Sequence, residues 1–262
     1  MNNIIKIKLF ANDTEYSNII LKELNKKLKE NGYIISDNDF QLAIAIGGDG
    51  TFLKMVKECN FSDEIFYIGV NTGTLCFAGE IYPSDIDMFV YRLKNNNYKI
   101  ENIGVQQTDL YFNKSKKSFY SLNEIVIRDI DLNTIKMDIK IDNNLLEKYT
   151  GDGVLISTSF GSTAYNLSFG GSIVYNDLHT LQITPIAPLN NKKYCTLNNS
   201  IIIPENRLVE INTDNKIILS IDGQNYKFNK IIKLNTYINK KIKLIRMNEY
   251  DYTKKINEKF LK

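Results

Sequence analysis

In Ala45-Ile46-Gly47-Gly48-Asp49-Gly50-Thr51-Phe52-Leu53 an apolar run breaks at two glycines and resumes with helical spacing. Leu42 to Ile46 reads as a buried strand, and Phe52, Leu53 and Val56 as the apolar face of a helix that restarts at Thr51. Glycines at such a turn let backbone N–H groups approach a phosphate closely, and the N-terminus of the following helix favours negative charge. An aspartate in that position opposes an anion, so Asp49 points to metal binding or proton acceptance. Taken alone, the turn also fits a left-handed bend carrying a solvated carboxylate.

Length and charge bound the partners. A chain of 262 residues suits one large domain or two small ones. A net charge of only +3 calls for neither nucleic acid nor an anionic membrane, and Lys114 to Lys117 and Lys240-Lys241 read as solvated faces. There is no run of apolar residues long enough to span a bilayer and no leader-like apolar segment at the start. Cys59, Cys76 and Cys195 are scattered and odd in number, which argues against a disulfide framework or a cysteine zinc site. A cytoplasmic location is expected. The one histidine, His179, leaves little room for a Ser-His-Asp triad, and the histidine pair of a zinc protease is missing. The Walker A and Gly-x-Gly-x-x-Gly loops are missing as well.

Along the chain the pattern changes near residue 100. Before it, strands and helices alternate: a strand over Ile5 to Phe10, then a helix capped within Asn12-Asp13-Thr14 and carrying Ile19, Ile20, Leu24 and Leu28, ended by Gly32. The strand into Gly47, the helix from Thr51, a strand over Ile65 to Val70 and a helix over Ser84 to Leu93 follow. The expected fold is α/β, with a parallel-sheet domain over 1–100 and a β-rich domain over 101–262 whose C-terminal tail packs back on the first. Lys136 to Ile141 alternates with period two before the turn Asp142-Asn143-Asn144. Ile217 to Ile221 before Asp222-Gly223-Gln224 repeats that design. Lys241 to Arg246 reads as another strand, and Asp251 to Leu261 as a closing helix.

Three more segments carry chemistry. Asn71-Thr72-Gly73-Thr74-Leu75 is a second polar glycine turn after an apolar run, and it would flank the first if their strands were parallel neighbours. Asn123-Glu124 sits among apolar residues; an amide beside a carboxylate suits ribose hydroxyls or an adenine amine, although for the dipeptide alone a polar pair at a strand edge is the better explanation. Gly151-Asp152-Gly153 precedes a strand that leads to Gly161-Ser162-Thr163-Ala164-Tyr165-Asn166-Leu167-Ser168-Phe169-Gly170-Gly171. Small hydroxyls and a tyrosine at a glycine turn opening a helix fit a nucleotide wedged against a ring, or simply a glycine-rich crossover.

Gly47-Gly48-Asp49-Gly50-Thr51, Asn71-Thr72-Gly73, Asn123-Glu124, Gly151-Asp152-Gly153 and Gly161 to Asn166 together resemble the NAD kinases in order and spacing, over roughly residues 40 to 225. The first motif alone is shared with diacylglycerol-type lipid kinases and phosphofructokinases. The resemblance implies an N-terminal α/β domain, a β-rich NAD-binding domain and an active site in the cleft between them. It implies transfer of the terminal phosphoryl group of ATP, or of polyphosphate, to the adenosine ribose 2′-hydroxyl of NAD. Asp49 would be the catalytic residue, taking or holding the hydroxyl proton and contacting Mg²⁺, with no dedicated protein cage for the metal. Gly47, Gly48, Gly50 and Thr51, with Asn71 and Gly73, would cradle phosphates. Asn123, Glu124, Thr163, Ala164, Tyr165 and Ser168 would hold the adenosine half, and Asp152 and Ala187 would meet the nicotinamide half. Asp49, Gly50, Thr150, Phe160, Asn166, Leu167 and Gln224 complete the implied NAD contacts. A homodimer or homotetramer is the implied assembly.

The chain departs from the family pattern at Thr150, where a basic residue is common, at Cys76 in place of a glycine, and at Ser159 in place of a proline. Two other readings remain: a lipid or other small-molecule kinase sharing only the first motif, and a non-catalytic NAD-binding regulator.

Overall fold

A computed structural model describes residues 4–73, 76–248 and 250–261; Thr74 and Leu75 of the second glycine turn lie outside them. The chain forms two compact units, Met1–Ile103 with Ile242–Lys262, and Gly104–Lys241.

The first unit is built on β1 (Lys6–Ala11), α1 (Glu15–Glu30), β2 (Ile34–Ile35), β3 (Leu42–Gly47), α2 (Asp49–Glu58), β4 (Phe66–Asn71), β5 (Gly79–Ile81) and α3 (Ile86–Lys94). Strands β2, β1, β3 and β4 lie side by side and parallel, and β5 pairs with the end of β4. A parallel sheet is covered on both faces, which is why Leu42 to Gly47 is buried at every position and reads as a continuous apolar run. Thr14 caps α1 by accepting from the Ser17 N–H at 3.2 Å. Ile20, Leu24 and Leu28 of that helix are buried, each worth about 1.5–3 kcal/mol; Ile19, expected beside them, faces solvent. A 3₁₀ turn at Pro83–Asp85 precedes α3, so that helix starts later than its apolar spacing suggests.

The second unit comprises β6 (Lys99–Tyr111, entering from the first), β7 (Lys116–Ser121), β8 (Glu124–Asp129), β9 (Ile135–Ile141), β10 (Asn144–Gly151), β11 (Gly153–Thr158), α4 (Tyr165–Ser168), β12 (Thr180–Ile186), β13 (Ile201–Pro204), β14 (Val209–Asn212), β15 (Ile217–Ile221), β16 (Gln224–Phe228) and most of β17 (Lys233–Arg246). One antiparallel sheet runs β13-β12-β11-β8-β15-β16. Alternate residues of it, such as Ile125, Ile127, Val154, Ile156 and Leu219, pack with Ile135, Met137, Ile139, Val209 and Ile211 of β9 and β14 in one core. The period-two alternation seen in the sequence is the inside–outside alternation of these strands. After β17 the chain ends in α5 (Tyr252–Ile256), which passes into a π-helical turn at Asn257–Leu261. Among the described residues no helix is long and apolar enough to cross a membrane.

Candidate functional site

In the first unit the two glycine turns are neighbours. Strands β3 and β4 pair in parallel up to Gly47 opposite Asn71, and the Thr72 N–H reaches the Gly47 carbonyl at 3.3 Å. Both turns therefore leave the carboxyl edge of the sheet together, where α/β folds bind ligands. A Cβ on Gly47 would lie 2.2 Å from Thr51 Oγ1, so the tight exit needs glycine. A Cβ on Gly50 would meet nothing within 4 Å. No protein atom demands that glycine, and its exposed backbone at the start of α2 is free for close approach. Asn71 is buried and its Oδ1 accepts from the Gly73 N–H at 3.0 Å, tightening the second turn.

Helix α2 starts at Asp49 and not at Thr51, because the Gly48 carbonyl already accepts the Phe52 N–H at 3.2 Å. Asp49 thus occupies the first helical turn, where a carboxylate complements the helix dipole. Its Oδ1 accepts from the N–H of Phe77 at 2.9 Å, the N–H of Ala78 at 2.8 Å and the Cys76 thiol at 3.3 Å. Among the described residues its Oδ2 has only the shared Phe77 N–H at 3.0 Å. One carboxylate oxygen is saturated and the other retains capacity for a ligand.

In the second unit Asn123 and Glu124 meet the glycine-opened helix. The apolar stretch from Phe119 to Ile127 is two strands, β7 ending at Ser121 and β8 starting at Glu124, with Asn123 in the break. Asp222 fixes that break: its carboxylate accepts from the N–H groups of Leu122 (2.8 Å), Asn123 (2.8 Å) and Glu124 (3.2 Å). On the other side the Asn123 backbone crosses Gly161 so closely that a Cβ there would lie 2.1 Å from the Asn123 oxygen. Phe160–Thr163 forms a 3₁₀ turn leading through Ala164 into α4, and Tyr165 is exposed with its ring edge-on to Phe169 at 4.7 Å.

Glu124 lines a pocket of about 440 Å³ with Val126, Arg128, Leu132, Tyr165, Ile218 and Ser220 among its walls. It is 6% exposed, and among the described residues its Oε2 has no hydrogen-bond partner. Burial, then the neighbouring Asp222 charge, pushes its carboxyl up to about 8, against a bond from the Tyr165 N–H that opposes the shift. At neutral pH Glu124 therefore holds a proton and can donate as well as accept. Because the folded-state value lies above the unfolded one, the stability tied to this proton is full below about pH 4.5 and is lost as pH rises through about 8. Glu124→Gln should remove that slope. Urea unfolding should find the variant similar to wild type at pH 4 and more stable at pH 9, by about 2–4 kcal/mol.

Residues 4–98 match the family model of the ATP-NAD kinase N-terminal domain, and residues 122–241 that of the ATP-NAD kinase C-terminal domain. An NAD kinase of Finegoldia magna is 37% identical over 275 aligned positions that cover both chains completely. The chain belongs to the NAD kinase family. An NAD kinase of Streptococcus gordonii is 34% identical over 87% of this chain and 85% of its own. Among solved structures, yeast NADH kinase complexed with NADH superposes with a TM-score of 0.87 at 20% identity, over 98% of this chain and 88% of that one. An Archaeoglobus fulgidus NAD kinase in complex with ATP superposes at 0.79 and 17% identity, over 97% and 99%. Those two likenesses establish the fold, an N-terminal unit with parallel strands and an antiparallel β-rich C-terminal unit, as the sequence indicated.

Against that NAD kinase pattern the remaining site residues divide. Thr163, Ala164 and Leu167 are half-buried, Phe160 likewise, and Ser168 and Gln224 are exposed. Asn166 is turned fully inward: its amide donates to the Ser162 carbonyl and to Gln182, and accepts from Thr184. Its side chain holds the α4 loop on the sheet and is shut off from solvent. Thr150 is buried at the end of β10, while Asp152 and Ala187 are exposed, tied by the Asp152 N–H to the Ile186 carbonyl at 3.0 Å. Asp152 and Ala187 lie at the other end of β11 from Asn123 and Glu124, since Gly153 pairs with Arg128 and Ser157 with Glu124. At about 3.3 Å per residue the two groups are roughly 13–20 Å apart. Asp222 was legible only as a turn residue, because the amides it holds are about a hundred positions away in the chain.

Proposed function

We propose that this chain transfers the terminal phosphoryl group of ATP to the 2′-hydroxyl of the adenosine ribose of NAD, forming NADP. The observation that carries the reading is the Asp49 carboxylate, fixed at the start of α2 beside two adjoining glycine turns, with one oxygen that shares a single N–H and keeps room for a ligand. Phosphoryl transfer asks a protein mainly for in-line positioning and charge neutralisation. Gly47, Gly48, Gly50 and Thr51, with Asn71 and Gly73, supply backbone N–H groups and a helix N-terminus for phosphates. Asp49 Oδ2 accepts the ribose hydroxyl proton as the hydroxyl oxygen bonds to the γ-phosphorus, whose bond to the β–γ bridging oxygen breaks and releases ADP. Asn123 and Glu124 offer an amide and a protonated carboxyl to adenosine, and Tyr165 offers an exposed ring face. Family membership and the NADH and ATP complexes of the two structural neighbours support this assignment.

Magnesium fits the donor set as a companion of the nucleotide. Mg²⁺ takes one or two carboxylates plus phosphates and keeps several waters. Among the described residues no group of three His, Cys, Asp or Glu side chains is placed to hold a metal, whereas Asp49 Oδ2 has room for one contact. Bound on the ATP phosphates, Mg²⁺ would supply charge neutralisation there.

The test is a coupled assay for NADP with NAD, ATP and Mg²⁺, run beside diacylglycerol as acceptor and polyphosphate as donor. NADP formed from ATP with no lipid phosphorylation supports the reading; lipid phosphorylation at the same rate overturns it.

The working assembly we propose is a homodimer or homotetramer in which Asp152 and Ala187 serve a neighbour's site. The separation of Asp152 and Ala187 from Glu124 along β11 supports it. Mixing inactive Asp49→Asn and Asp152→Ala proteins under subunit exchange should restore part of the NADP synthesis. No recovery despite proven exchange argues against a shared site, and a monomer by light scattering rejects the assembly.

A further inference from the structure

Three consecutive hydrogen bonds lead from the C-terminal helix to the Asp49 carboxylate. Lys255 of α5, 6% exposed, donates from Nζ to the Gly79 carbonyl. The Gly79 N–H donates to Cys76 Sγ at 3.0 Å, and the thiol donates to Asp49 Oδ1 at 3.3 Å. Gly79 fits only as glycine, since a Cβ would lie 2.8 Å from that sulfur. The tail also holds the same loop through Phe260, whose ring centroid is 5.3 Å from that of Phe77. Phe77 and Ala78, between the two anchored residues, supply the backbone N–H groups that grip Asp49.

Resting on the phosphoryl-transfer reading above, we propose that Cys76 is a positioning residue for Asp49, locked from the C-terminal helix by Lys255 through Gly79. With Oδ1 occupied by the thiol and two amides, the carboxylate cannot rotate without breaking three bonds, and Oδ2 is the oxygen presented to the ribose hydroxyl. The thiol is suited to donate and not to react. It is 1% exposed, and burial followed by the Asp49 charge pushes it up to about 12, so it keeps its proton. A sulfhydryl is a weak donor, which sets the direction without competing strongly for the carboxylate.

The experiment compares Cys76→Ala, Cys76→Ser and Lys255→Met in steady-state NADP synthesis. Cys76→Ala should lower kcat roughly tenfold while KM for NAD stays within about twofold, because orientation and not binding is lost. Cys76→Ser, which restores a donor in the same place, should recover most of that kcat. Lys255→Met should also lower kcat, and adding Cys76→Ala to it should cost little more, since both act on one chain of contacts. Unchanged kcat in Cys76→Ala, no rescue by serine, or additive losses in the double variant would each overturn the proposal. An activity-independent arm separates it from the assignment of the reaction. With Cys59 and Cys195 replaced by serine, Cys76 is the only thiol, and its S–H stretch should rise in frequency on Asp49→Ala. A band that does not move rejects the contact; wild-type protein that makes no NADP, with a band that moves, rejects the reaction and keeps the contact.

Discussion

Asp49→Asn should lower kcat for NADP formation by about 10²–10⁴-fold, the usual cost of losing a general base, with KM for NAD nearly unchanged. The structure makes this substitution a clean one. Asparagine keeps an oxygen where Oδ1 accepts from Cys76, Phe77 and Ala78, so those contacts still hold the loop over Cys76 to Gly79, and the second arm of the shared Phe77 N–H, to Oδ2, is the one bond lost. The amide nitrogen then replaces Oδ2, the oxygen with a single shared partner. An acceptor of a proton becomes a donor at the position to which the proposed reaction assigns the ribose hydroxyl. Steady-state kinetics at saturating ATP and Mg²⁺, with a thermal melt to show the fold retained, checks both halves. A kcat close to wild type would remove Asp49 from the chemistry.

What the sequence alone discloses follows from the range of the interactions. Local patterns carried the first unit well: the buried run into Gly47, the spacing of Ile20, Leu24 and Leu28, and the cap at Thr14 are each decided within a few residues. The adjacency of the two glycine turns was conditional on strand order, and the parallel pairing of β3 with β4 supplied it. Contacts that decide the state of the site are not local. Asp222 reaches back to Leu122, and Glu124 acquires its proton from burial beside Asp222, neither of which any motif announces. Asn166 is the opposite case. It sits inside a nucleotide-like motif, yet its side chain bonds to Ser162, Gln182 and Thr184, which only the packing of that turn on β12 reveals. The start of α2 at Asp49 was missed for a similar reason, since apolar spacing marks the first core residue and not the first helical one.

Arg246→Ala should destabilise the protein by about 3–5 kcal/mol, the cost of removing one partner from a buried ion pair. Arg246 at the end of β17 is 4% exposed, and its guanidinium is engaged on three sides. Nε donates to Glu101 at 2.6 Å, Nη1 donates to Glu80 at 3.2 Å, and the Tyr250 ring lies 3.9 Å from Cζ. Burial raises the Glu80 carboxyl while Arg246 pulls it down, so alanine leaves Glu80 desolvated without its main counter-charge. Lysine should rescue only partly, because a point charge cannot serve two carboxylates and a ring at once. Replacing the buried pair, Glu80→Gln with Arg246→Met, should recover much of the loss, since the buried Glu80 charge goes with its counter-charge and Glu101, left alone, reaches solvent. Urea titration reads all three variants, with a fall in midpoint at constant slope marking a change in stability alone. The consequence reaches the site, because Glu80 follows Gly79 and also accepts from the Met247 N–H. Loosening that pair frees β5, and with it the loop whose amides hold Asp49. Arg246→Ala should therefore lose kcat at temperatures well below its melting point, whereas the paired Gln/Met variant should not. If Arg246→Ala unfolds at the wild-type urea midpoint, the pair contributes nothing net and the clamp on β5 must be sought elsewhere.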